Sequence, residues 1–212
     1  MIRSAAVARL KRGLDFRLGT VDDTNIVAQL QESQRLLEKG RDLPRWLRQE
    51  DASLVVAAGS GNVTLPTGFL REVNGEGPRY TNAAGDQVFL EKLSVEEGLV
   101  RFEGYDAGAP IAYAIRKASL TFYPERDVEY TLTWSYYKAD DTLSADSTEN
   151  LWLTHNPEAL IGHAGMIYAD DLGNAEAVRR FTRMFNEAWG AQFAEDIERE
   201  LDNDPIEMGG RL

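Results

Sequence analysis

The apolar residues of this chain change their repeat twice, and that change limits the architectures open to it. Near the start, Val7, Leu10 and Leu14 fall on one helical face, and Ile26, Leu30 and Leu37 recur at the spacing of a second buried stripe. In the middle, the stretch EYTLTWSYY (129–137) alternates. Tyr130, Leu132, Trp134 and Tyr136 occupy one side of a strand, and Thr131, Thr133 and Ser135 the other. After residue 150 the helical spacing returns. Leu160, Ala164, Ile167 and Tyr168 share a face, and Phe181, Phe185, Trp189, Phe193, Ile197 and Leu201 recur every fourth residue. A helix turns once in about 3.6 residues, so a strict spacing of four winds around the helix and can meet two neighbours in succession. Helix, strand and helix periodicity in that order predicts an α+β chain. The N- and C-terminal segments form a helical bundle, and an antiparallel β module, a small sandwich or open barrel, is inserted between them.

Local grammar places the boundaries. Asp22 or Asp23 can cap the second helix and Gly40 can stop it, and DLPRWLRQ reads as a short helical turn that anchors Trp46 and Leu47. Gly59-Ser60-Gly61-Asn62, Asn74-Gly75-Glu76-Gly77-Pro78 and Ala84-Gly85-Asp86 are turns. They separate runs read as strands: SLVVAA, NVTLP, QVFLEKL, LVRFEG, IAYAIRK and SLTFYP. Pro124 is preset for the turn in YPERDVEY, and KADDTLSADSTEN reads as a polar loop. Asn156 followed by Pro157 is the grammar of a helix start, and LGN at 172–174 marks a break. The division expected is 1–50 with 150–203 as the helical bundle, 51–149 as the inserted β domain, and 204–212 as a flexible tail.

Charge and composition exclude several functions. The net charge is −12, the opposite of what a protein that grips nucleic-acid phosphates needs. With no cysteine there is no disulfide framework, thiolate metal site or cysteine nucleophile. No apolar run has the length to span a bilayer, and MIRSAAVARLKRGL is too broken by charge to read as a secretory signal. Cytoplasm, or wherever a cytoplasmically assembled complex ends up, is the expected compartment.

The residues that look chemical do not assemble into a site. Both histidines, His155 and His163, lie in NLWLTHNPEALIGHAG (150–165), eight residues apart and without a His-Glu-x-x-His pattern. His163 falls beside the buried stripe and reads as a structural histidine. Asp22-Asp23 reads as helix-start chemistry, Asp140-Asp141 sits in the polar loop, and neither these nor Asp170-Asp171 form a calcium-loop pattern. There is no G-x-S-x-G elbow, phosphate loop or dinucleotide fingerprint. The expectation is a non-enzyme with no cofactor and no metal.

The two ends carry opposite charge. Arg3, Arg9, Lys11 and Arg12 mark the first, and Glu195, Asp196, Glu198 and Asp202 the last, with Ile206 and Met208 as apolar anchors in the tail. Opposite-sign ends can attract each other or a neighbouring copy, and these residues are the candidate protein–protein interface.

The ordered set VARLKRGL…IVAQLQESQRLLE, LPTGFLREV, APIAYAIRKASLTFYPERDVEYTLTWSYYKADDTL and NLWLTHNPEALIGHAG resembles the head-to-tail adaptor (connector) proteins of tailed bacteriophages. The resemblance runs from about Val7 to about Ile197. It is carried most strongly by Leu65-Pro66…Phe69-Leu70-Arg71, Tyr113-Ala114-Ile115, and Asn150-Leu151-Trp152-Leu153 before Asn156-Pro157. Two departures stand out: the turn around Pro44 and Trp46 holds Arg45 where a tighter aromatic cluster is expected, and the acidic tail 194–212 is long. The resemblance implies a structural virion protein that forms a ring, commonly dodecameric, beneath the portal protein. Such a ring extends the channel for double-stranded DNA, which passes without specific binding, and docks tail, nozzle or tail-tube proteins. The rival reading is a glycan-binding or hydrolase module that uses Tyr105, Tyr113, Tyr123, Trp134, Tyr136 and Tyr137 of the β insertion. A tail terminator or stopper of the neck is a further alternative.

Overall fold

The computed structural model describes residues 1–14, 22–59, 62–73 and 77–203. In chain order these form α1 (Arg3–Gly13), α2 (Asp23–Glu38), a 3₁₀ turn (Arg45–Leu47), β1 (Arg48–Val56), β2 (Val63–Thr64), β3 (Phe69–Glu72), β4 (Arg79–Thr81), β5 (Gln87–Phe89) and β6 (Glu91–Lys92). Then come α3 (Val95–Arg101), β7 (Ala112–Arg116), β8 (Ser119–Tyr123), β9 (Tyr130–Lys138), α4 (Leu151–His155), α5 (Pro157–Asp171) and α6 (Ala175–Asn203). They divide into two compact units, Met1–Leu47 with Asp140–Leu212, and Arg48–Ala139. The protein is therefore α+β, with a β module inserted between helices and, among the described residues, no closed barrel.

The helical unit is built from the stripes visible in the sequence. Leu10, Ile26, Leu30, Leu160 and Ala164 are fully buried. α2 starts where the Asp22 carboxylate accepts the Thr24 N–H at 3.0 Å, and the chain leaves it at Lys39 and Gly40. α5 starts where Asn156 accepts the Ala159 N–H at 3.1 Å, with Pro157 in the first turn. It ends at Leu172, and Gly173 turns the chain at φ 67° before α6.

α5 and α6 approach each other closely because α5 presents glycines there. A Cβ on Gly162 would lie 2.8 Å from the Phe185 backbone nitrogen, and one on Gly165 would strike the Phe181 ring. The fourfold stripe of α6 winds as helix geometry requires. Each step of four advances the side chain about 40°, so four steps turn it roughly 160°. Phe181 is 1% exposed and Ile197 is 56% exposed, and the last buried positions pass instead to the polar residues Gln192 and Asp196.

The inserted unit is two packed sheets. One runs β1-β9-β4-β5 with β3 also on β9, and the other runs β2-β8-β7-β6. Strand pairing is antiparallel except for β6 and β7, which are parallel. Between the sheets lie Leu132, Trp134 and Tyr136 of β9 with Tyr113, Leu120 and Phe122 of the other sheet. The opposite face of β7, Ala112 and Ala114, packs with Tyr123 against Val95 and Phe102. This is why all three residues from Ala112 to Ala114 are buried.

Three expectations need correction. LVRFEG is not a strand. Ser94 and Glu97 form a reciprocal capping box, 3.2 Å and 2.9 Å, which starts α3 and carries Leu99–Arg101 as helix. QVFLEKL is not one strand but two in different sheets, broken at the buried Leu90. KADDTLSADSTEN is not merely a polar loop. Leu143 within it is fully buried, and its carbonyl accepts from Gln31 at 2.8 Å and Arg3 at 3.1 Å, so residues 140–149 fall in the helical unit. The turn residues Ser60, Gly61 and 74–76, and the tail 204–212, lie outside the described residues.

Candidate functional site

The segment with both histidines is a joint held by buried polar contacts. Asn150 caps α4 by accepting the Leu153 N–H at 3.0 Å, and it donates to the Asp141 carbonyl at 3.0 Å and to Gln34 at 3.2 Å. The Asp140 carboxylate accepts the Trp152 N–H at 3.0 Å. Glu38, on α2, accepts from Gln34 at 3.0 Å, from the Trp152 indole at 3.1 Å and from the Asp140 N–H at 3.2 Å. Neutral donors therefore hold a nearly buried carboxylate. Burial pushes both Glu38 and Asp140 above the ordinary carboxylate range. Trp152 is fully buried, edge-on to Trp46 at 4.8 Å and stacked on Trp189 at 6.0 Å.

Each histidine packs on a ring of its own. His155, the last residue of α4, stacks on Trp46 at 5.4 Å. His163 lies 5.3 Å from Phe185, its Nδ1 is buried without a hydrogen-bond partner, and burial lowers its pKa. Trp152 and His155 both pack on Trp46, the residue after Arg45. Among the described residues no group of three or more His, Asp or Glu side chains is placed to hold a metal ion.

The charged ends divide between internal and outward roles. Arg3 pairs with Asp146 at 2.5 Å, Arg9 with Glu158 at 2.7 Å, and Lys11 with Asp23. Arg12 is exposed. Asp196 is buried: it accepts the Arg45 N–H at 3.1 Å and a Gln192 N–H at 3.1 Å, fastening the 3₁₀ turn to α6. Glu195 and Glu198 lie on the exposed side of α6. The Asp202 side chain, Ile206 and Met208 lie outside the described residues. Sequence spacing alone could not separate Asp196 from its neighbours, because its burial follows from the winding of α6.

In the β module the aromatic residues are mostly core. Tyr113, Tyr123, Trp134 and Tyr136 are buried, and Tyr137 is half-buried beneath Arg71. Tyr113 donates to Glu72, which also pairs with Lys92. Tyr105 is 64% exposed. It borders a groove of about 490 Å³ beside α3, with Leu99, Val100, Phe102, Tyr123 and Pro124. The sequence does not announce this groove, because LVRFEG reads as a strand whereas its Leu99, Val100 and Phe102 line the groove from a helix and its exit turn.

Buried polar contacts hold the helical unit, a two-sheet β module is inserted in it, and the residues that look chemical serve caps and packing. The chain belongs to the SU10 adaptor protein family, whose model, described as "SU10 adaptor protein", matches residues 2–208 and so spans both units. No curated protein matches the chain.

Proposed function

We propose that this protein is a head-to-tail adaptor of the virion neck, forming a closed, dodecameric ring beneath the portal protein. In that position it extends the DNA channel and docks tail, nozzle or tail-tube proteins. The observation that carries the reading is family membership over nearly the whole chain, 2–208. A net charge of −12 supports passage of double-stranded DNA without adhesion, because like charges oppose phosphate contact. The exposed Arg12, with the exposed Glu198 on α6, supports lateral contact between identical subunits. The function is structural. The residues that first suggested chemistry, Asp140, His155 and His163, hold a helix cap or pack against aromatic rings.

Imaging the purified full chain mixed with its cognate portal tests this. Ring-shaped density on the tail-facing end of the portal is the expected result. A protein that stays monomeric in the mixture and never decorates that end overturns the proposal.

A further inference from the structure

We propose that the groove beside α3 docks a basic, amphipathic segment of another protein. α3 has two sides. Its inner side is fixed to the module: Gly98 sits under the Tyr123 ring, where a Cβ would clash, and Val95 and Phe102 pack against Ala112, Ala114 and Tyr123. Its outer side and exit turn hold Val100 at 77%, Tyr105 at 64% and Leu99 at 61% exposure, three large apolar residues within seven positions. They line the groove of about 490 Å³, a volume in the range of clefts that seat a ligand's large apolar groups.

The rim of the groove states the chemistry of the occupant. Glu103 and Glu125 line it, and Glu96, Asp106 and Asp127 are exposed nearby in sequence. The cation of α3, Arg101, is paired with Glu91 at 2.6 Å. An apolar floor inside an acidic rim complements a segment with large apolar residues on one face and Lys or Arg on the other. Nucleic acid is disfavoured by the same charge. The basic first helix of a second copy is a poorer match, because Arg3, Arg9 and Lys11 are already paired with acids of their own chain, which leaves it Arg12 as an exposed cation. The proposal rests on the adaptor reading for which neighbour supplies the segment, but not for the chemistry of the groove.

The test uses the full chain and a fluorescein-labelled peptide of about four helical turns, with Leu and Phe on one face and Lys on the other. Two controls accompany it, a scrambled peptide of the same composition and a version with Glu in place of Lys. Fluorescence anisotropy is expected to show salt-sensitive binding of the first peptide and far weaker binding of both controls. Leu99→Asp and Val100→Asp should each weaken binding about tenfold or more, with the thermal midpoint unchanged because both side chains face solvent. Glu103→Lys with Glu125→Lys should weaken binding and reduce its salt dependence. Equal binding of the scrambled peptide, or binding indifferent to these substitutions, overturns the proposal. So does self-association of the wild type that Val100→Asp abolishes, which would make a second copy the occupant. Wild-type protein that decorates the portal but ignores the peptide sinks the groove assignment and leaves the adaptor reading intact. Protein that binds the peptide through the groove but never decorates the portal does the reverse.

Discussion

Gly165→Ala should destabilise the helical unit although alanine is the better helix former. Built on the backbone, the new Cβ would sit 2.5 Å from Cδ1 of Phe181 and 2.6 Å from its Cγ and Cε1. Ordinary carbon contacts are about 3.5–4.0 Å, so the overlap is about 1 Å against three ring atoms. The ring has little room to move. It is 1% exposed, and its far edge lies against Gly13 of α1. Overpacking of this kind costs about 1–3 kcal/mol. The gain in helix propensity offsets about 1 kcal/mol of that, leaving a net loss of up to roughly 2 kcal/mol. In a Phe181→Ala background, itself destabilised by about 3–5 kcal/mol, the clash is gone and the same substitution should stabilise by up to about 1 kcal/mol. Urea denaturation followed by tryptophan fluorescence reads both, because Trp46, Trp152 and Trp189 all lie in the helical unit. A stabilising effect in the wild type, or the same shift in both backgrounds, would refute the reasoning.

The polar joint and the caps give three further expectations. Glu38→Gln keeps an acceptor for Gln34, Trp152 and Asp140 while removing a buried charge, so stability at pH 7 should be unchanged or higher by on the order of 1 kcal/mol, whereas Glu38→Ala should cost about 2–3 kcal/mol. Because the folded Glu38 carboxyl titrates above its unfolded value of 4.5, the wild type binds more protons folded than unfolded in that window. Its stability relative to the Gln variant should therefore improve as pH falls through the folded value towards 4.5, which denaturation at several pH values reads. Asn156→Ala should cost about 2 kcal/mol by removing both the cap on the Ala159 N–H and the bond to the Ala188 carbonyl, and Asn156→Ser, which can still accept the Ala159 N–H, should cost less. His163 has a lowered pKa, so the wild type should lose stability as pH falls below about 6.5, where the unfolded chain takes up the proton first. His163→Leu should remove that loss, and a variant as acid-sensitive as the wild type would contradict the burial of this ring.

Much of this fold can be read from periodicity, and the failures have physical causes. The stripes at Leu10, Leu30 and Leu160 mark buried helix faces because a repeat near 3.6 has one structural meaning. The alternation in β9 is equally plain, although Ser135 on its second face is also buried, its hydroxyl accepting the Asp51 N–H at 3.3 Å. α3 was lost because LVRFEG is apolar and short, and the Ser94–Glu97 capping box that decides for helix lies upstream of it. Leu143 was hidden in a polar run because its burial depends on contacts with residues over a hundred positions away. For the site, residue spacing told against a metal or nucleophile but was silent about the groove. Exposed apolar residues on a misassigned strand look like core. The charged ends were visible as composition, yet which of their charges face a neighbour depends on pairings such as Arg9 with Glu158 that sequence spacing does not encode.

The central claim is that this chain is the adaptor between head and tail, and a map of the assembled particle addresses it most directly. The account predicts that the helical unit with its inserted two-sheet module fits a symmetric ring of density in the neck, immediately beneath the portal and surrounding the DNA channel. Density for this chain elsewhere in the particle, or a neck ring into which neither unit fits, would contradict it.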